Sequence, residues 1–193
     1  MVLALASCGG NTTTTSSVDT PVSSEEATSS VDTTAGGDEA LAVLNNIYAQ
    51  YPDDYKVFGG GSDMEVAFLD GPGEYSLSDV DAFTSVFSFP AESIAKVSGA
   101  AQLMHTMMIN NFNIGAYKLV NPADKEALAD ELTTSIKNTQ WICGFPENII
   151  VASVGDVVIS GYGLKELIDV FETALKTAYP DATIYTSEAL EVR

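Results

Sequence analysis

Residues 148–162 read N-I-I-V-A-S-V-G-D-V-V-I-S-G-Y. Two runs rich in β-branched residues flank Gly155-Asp156. A two-residue loop containing Gly closes a tight hairpin, because Gly takes the positive φ that such turns need. That loop sets the register: Val154 faces Val157, Ala152 faces Ile159 and Ile150 faces Gly161. Side chains alternate along a strand, so these six share one face, which is apolar or Gly throughout. The opposite face carries Ile149, Val151, Ser153, Val158, Ser160 and Tyr162 and is mixed. A sheet with an apolar face needs a covering layer, and helical patterns stand on both sides of the hairpin.

Upstream, residues 113–120 (N-I-G-A-Y-K-L-V) read as a strand. Asn121-Pro122-Ala123-Asp124 then starts a helix, with a capping Asn, Pro in the first turn and an acid near the positive end of the dipole. Leu128, Leu132 and Ile136 follow at i, i+4 and i+8, and Trp141 and Phe145 fall in the connection to the hairpin. Downstream, Leu164, Leu167, Ile168, Phe171 and Leu175 form a second helical stripe, with a Glu172–Lys176 pair outside it and Pro180 as its stop. Residues 183–186 supply a last strand. The order strand, helix, strand, strand, helix, strand predicts an α+β domain over 111–193. Its expected form is a ferredoxin-like split β-α-β, an antiparallel sheet with both helices on one face. In that arrangement the apolar hairpin face lies under Leu128/Leu132 and Ile168/Phe171, and the mixed face is solvated or covered by amino-terminal helices.

Residues 38–110 read as a helical amino-terminal subregion. A first helix spans 38–51, with Leu41, Leu44 and Ile47 in its stripe and Pro52 as its stop. Residues 52–78 resist assignment: Gly59-Gly60-Gly61 and Gly71-Pro72-Gly73 bracket a short apolar run, 66–69. The triple Gly has no following Lys-Ser/Thr and so lacks the parts of a phosphate loop. Residues 78–87 predict a short helix, with Asp79 and Asp81 as dipole partners rather than a metal pair. Residues 91–108 place Ile94, Val97, Ala101, Met104 and Met108 at helical spacing. This predicts a third helix, with Met104, Met107 and Met108 as core packing and His105 half-buried.

The chain has 193 residues, with 8 Lys+Arg against 27 Asp+Glu and a formal net charge of −19. Such a surface repels nucleic acid, so none is expected as a partner. With one His and two Cys, the chain is short of His and Cys ligands for a zinc site. Cys143 sits in W-I-C-G-F-P with no basic neighbour in sequence, which predicts a buried, unreactive thiol. There is no G-x-S-x-G and no EF-hand spacing, so neither a catalytic residue nor a cofactor site is assigned.

The amino terminus carries the most specific signal. Leu5-Ala6-Ser7-Cys8 places small residues before a Cys, followed by Gly9-Gly10 and a Ser/Thr-rich stretch without Lys, Arg or aromatic residues to Gly37. Residues 9–37 repeat S-S-V-D-T and hold too little apolar surface to offset their ordering entropy, which predicts a disordered tether. Its root-mean-square reach is roughly 30 Å. The start L-A-S-C-G-G, this tether, Y-S-L-S-D-V-D-A-F (75–83), M-M-I-N-N-F-N-I-G-A-Y-K-L-V-N-P-A-D (107–124) and V-G-D-V-V-I-S (154–160) together resemble a known family. It is that of Gram-positive, gut-type bacterial cell-surface lipoproteins with a carboxy-terminal domain of unknown function. Residues 90–105 depart from its pattern. The resemblance implies that residues 1–8 end a signal with its lipobox, that Cys8 is lipidated and that the protein is held on the extracytoplasmic face of the cell membrane. The leader before Cys8 is shorter than the roughly 7–15 apolar residues of an export signal, and its upstream part is expected to precede Met1. The expected function is non-enzymatic binding of a protein or small-molecule ligand. The alternatives are a cell-wall hydrolase working through carboxylates alone and an assembly subunit.

Overall fold

The hairpin has the expected register. Val154 pairs with Val157, Ala152 with Ile159 and Ile150 with Gly161, and Gly155 takes the positive φ, at 54°, while Asp156 does not. The computed structural model describes residues 35–56, 58–62, 71–142 and 144–191. Its elements are α1 (Ala35–Tyr48), β1 (Phe58–Gly59), β2 (Gly73–Tyr75), α2 (Val80–Phe87), β3 (Val97–His105), β4 (Phe112–Leu119), α3 (Lys125–Asn138), β5 (Asn148–Val154), β6 (Val157–Gly163), α4 (Lys165–Ala178) and β7 (Thr183–Ala189). The strands form one antiparallel sheet in the order β1-β3-β4-β6-β5-β7, with β2 also paired to β3.

The α+β class and the antiparallel sheet stand; helices on one face do not. β6 lies between β4 and β5, and β5 lies between β6 and β7. The crossovers β4-α3-β5 and β6-α4-β7 therefore move the same way across the sheet but start from antiparallel strands. Two crossovers of one hand must then place their helices on opposite faces, and parallel crossovers keep one hand almost without exception. Accordingly Ile168, Phe171 and Leu175 of α4 pack with α1 on the face of Ile114, Ile150 and Ile159. Leu128 and Leu132 of α3 pack with Phe83 and Phe87 of α2 on the face of Tyr117 and Val158. The mixed hairpin face is thus a second core layer.

Residues 38–110 are not a separate helical subregion. The expected third helix is a six-residue 3-10 helix (Ala91–Lys96) followed by β3, which pairs along its length with β4. Ala101 and Leu103 are buried on one face and Ala100 and Gln102 on the other. A strand buried on both sides loses the alternation that would announce it, and Ala, Leu and Met imitate a helix. The first helix also begins at Ala35, so Gly36 and Gly37 belong to its first turn rather than to a tether. A Cβ on Gly99 of β3 would collide with the backbone of both, so this helix start lies directly on the sheet. The apolar run 66–69 is outside the described residues.

Ile150, Val157 and Ile159 are buried under α1 and α4. Ile159→Ala is expected to cost about 2–5 kcal/mol, the usual range for deleting a fully buried Ile side chain. A denaturation midpoint barely shifted at constant slope would show that this layer has been placed wrongly.

Candidate functional site

The buried polar groups are the first place to look for chemistry, and they serve the fold. Gln102 Nε2 donates to Asn113 Oδ1 at 2.9 Å, and Asn113 Nδ2 donates to the Val86 carbonyl at 2.6 Å. Asn113 Nδ2 also donates to the Tyr162 hydroxyl at 3.2 Å, and that hydroxyl donates to the same Val86 carbonyl at 2.9 Å. Ser160 and Tyr117 share a hydrogen bond at 3.2 Å. Burial pushes the Tyr117 and Tyr162 phenols above their ordinary range, so both stay neutral. This layer ties α2 to the sheet. It is covered by α2 and α3 and offers no open surface.

The acids singled out from sequence are structural too. Asp79 caps α2, its carboxylate accepting from Ala82 N at 3.0 Å. Glu74 is held above the usual carboxylate range by burial and by a hydrogen bond with Asp38 at the start of α1. A cavity of about 660 Å³ between the exit of α2 and α3 is lined in part by Glu131. That carboxylate binds Lys96 Nζ at 2.6 Å and accepts from Ser93 Oγ. Burial opposes its ionisation, but these partners win and hold Glu131 below the usual carboxylate range. Among the described residues no group of three or more His, Cys, Asp or Glu could hold a metal ion. No described helix is long and apolar enough to cross a membrane.

The unusual surface lies where two connections meet at one end of the sheet. The described residues hold six exposed large apolar side chains, and four of them are here: Met107 (85% exposed), Met108 (50%), Ile142 (87%) and Phe145 (59%). The Met residues were expected in the core of a helix. Instead β3 ends at His105, and the chain turns through residues 106–111 into β4, leaving them outside. His105 shapes that turn: its Nδ1 accepts from Met107 N at 3.3 Å and Met108 N at 3.4 Å, the acceptor role of a neutral imidazole. Its ring also meets Phe58 edge-on at 5.8 Å.

Ile142 and Phe145 come from the connection between α3 and β5. Trp141 is half-buried there, its ring against Tyr162 at 4.5 Å. The two loops touch where Asn110 Nδ2 donates to the Gly144 carbonyl at 3.4 Å. Both are pinned to the start of α4. Leu164 N donates to the Asn111 carbonyl at 2.7 Å, and Lys165 N donates to Glu147 Oε2 at 2.9 Å. The result is an apolar tip on a braced framework, a composition found at contact surfaces. A signal for it was present in the sequence: apolar residues set among Asn, Gly and Pro, where the chain runs over the surface. Cys8 and Cys143 lie outside the described residues.

No family model, no curated protein and no solved structure matches the chain.

Two measurements follow from these placements. If the tip is free of structural duty, the double variant Met107→Ser, Ile142→Ser should change stability by less than about 0.5 kcal/mol, as surface substitutions do; a loss several times larger would make these residues part of the core. Glu131 has a lowered folded-state pKa, so its contribution is present above the unfolded carboxylate pKa and is lost as pH falls through the folded one. Glu131→Gln should therefore cost about 1 kcal/mol or less at neutral pH, the pair being partly exposed. The difference from the parent chain should shrink towards zero in acid, and a gap constant with pH would contradict the assignment.

Proposed function

We propose that this is a lipoprotein of the extracytoplasmic membrane face whose domain binds a protein partner at the apolar tip, without catalysis. One observation carries the reading: the chain enters the domain at the end of the sheet opposite the tip. The first turn of α1 lies at Ser98 and Gly99, and β3 runs on from there to its end at His105. At ~3.3 Å per residue that separates entry and tip by roughly 20 Å. The domain thus presents Met107, Met108, Ile142 and Phe145 at the end of the sheet away from the start of α1. A patch meant for the supporting bilayer would lie at the other end.

The anchor is Cys8, by the lipobox reading of Leu5-Ala6-Ser7-Cys8. Each buried CH₂ of an acyl chain contributes ~0.8 kcal/mol, and two chains give stable attachment. A net charge of −19 favours standing off from an anionic surface. The resemblance of the sequence to Gram-positive, gut-type cell-surface lipoproteins supports the same reading.

The test is expression in a bacterium behind an export leader that preserves residues 5–10. The parent chain should incorporate labelled palmitate, partition into detergent, and be open at a Cys placed at Met107 to an impermeant thiol reagent on whole cells. Cys8→Ser should lose the label and the partitioning. Equal behaviour of the two chains, with no palmitate in either, would refute the anchor. A tip closed to the reagent on intact cells would refute the orientation.

A further inference from the structure

A groove of about 570 Å³ runs along α4, and its lining includes Val170 and Ala174 together with Glu147, Glu166 and Asp169. Glu147 stands two residues after Phe145, and its carboxylate accepts from Lys165 N, so the loop that carries the tip also supplies a wall of the groove. The single cation in that lining, Lys165, is held by Asp169 at 2.5 Å. Glu166 accepts a hydrogen bond from the Tyr55 hydroxyl, which fixes the carboxylate at the wall.

Charge complementarity selects the occupant. The chain's seven lysines all lie among the described residues. Six of them, Lys56, Lys96, Lys118, Lys137, Lys165 and Lys176, already hold a carboxylate within the protein. With 27 acids in the chain, the surface of the described residues has anionic surplus and almost no unclaimed cation to offer. A second copy, or an anionic lipid surface, would bring like charge against it. A partner with apolar anchors and its own Lys or Arg meets both halves of the surface.

Resting on the reading of the tip as a binding surface, we infer that the partner presents a cationic amphipathic segment. Its apolar side chains seat on Met107, Met108, Ile142 and Phe145. Its basic side chains run along α4 past Glu147, Glu166 and Asp169. Hydrophobic contact supplies adhesion at the tip, and the carboxylates supply orientation and on-rate.

The chain's one Trp lies beside the tip, so Trp141 fluorescence reports binding without a label, and calorimetry measures it independently. The probe is a synthetic amphipathic helix of Lys and Leu, compared with a Gln/Leu peptide and a Lys/Gln peptide of equal length. The Lys/Leu peptide should bind at least ten-fold more tightly than either, and more weakly as salt rises. Variants are first checked for an unchanged thermal melt. The tip variant Met107→Ser, Phe145→Ser and the groove variant Glu166→Gln, Asp169→Asn should each weaken binding ten-fold or more. Glu126→Gln, Asp181→Asn removes the same charge from exposed positions elsewhere and should change it less than two-fold.

If that control weakens binding as much as the groove variant, only bulk charge is being read and the proposal fails. If the Gln/Leu peptide binds as tightly as Lys/Leu while the tip variant still loses affinity, the cationic class is wrong and the tip reading survives. If the tip variant binds like the parent chain, both are wrong. Lack of peptide binding together with tip-dependent binding to neutral lipid vesicles would overturn the proposal in favour of a membrane surface.

Discussion

The constraint on which the rest depends is the insertion of β6 between β4 and β5. Once the hairpin turns at Gly155 and β6 returns beside β4, the two crossovers run the same way from strands of opposite direction. Their common hand then obliges α3 and α4 to lie on opposite faces. Neither face of the central strands is left to solvent, which is why Ile149, Val151, Val158 and Ile159 are all fully buried. Full burial of such side chains contributes about 1.5–3 kcal/mol each relative to exposure, set against the entropy of ordering the chain. A ferredoxin-like layering would have needed only one apolar face. This sheet needs two.

The second face was not written in apolar residues alone, and the physics of its polar members explains how it tolerates burial. Gln102, Asn113, Ser160 and Tyr162 all lie under α2 and α3. A buried donor without a partner costs roughly 1–3 kcal/mol, so the group is acceptable only as a closed set. It closes on the Val86 carbonyl, at the end of α2, which receives from both Asn113 and Tyr162. A one-residue slip of β4 against β6 would turn Asn113 to the other face, leaving Gln102 without its partner and the Val86 carbonyl with Tyr162 alone. The polar layer therefore adds specificity of register to a core whose adhesion is apolar.

Those two faces also explain what could and could not be read from sequence. Local signals were legible wherever they acted over a few residues. The Gly155-Asp156 turn set the hairpin pairing, Asn121 caps the 3-10 turn that leads into α3 by accepting from Ala123 N, and Asp79 caps α2. The stripe of α4 was legible because one side of that helix stays wet, and the Glu172–Lys176 pair is formed at 2.5 Å. β3 was not legible, since burial on both faces erased its alternation. The layering of α3 was missed because a helical stripe says that a face is buried, not which face of a sheet buries it. The tip was missed for a related reason. Met107 and Met108 fit a helical pattern so well that the exit of β3 at His105 was hidden.

Exposure of the tip is not forced by the fold. The loops that carry it are already fixed by hydrogen bonds of their own backbone and by His105, Asn110 and Glu147, none of which needs Ile142 or Phe145 to be apolar. Polar residues would serve those turns equally well and would lower the risk of self-association. High net charge offsets that risk, since copies at −19 repel one another before their tips can meet. An apolar contact surface and an acidic body are therefore two parts of one solution. On the reading proposed above, the charge keeps the tip from its own kind, and a partner that reaches it brings both something apolar and something positive.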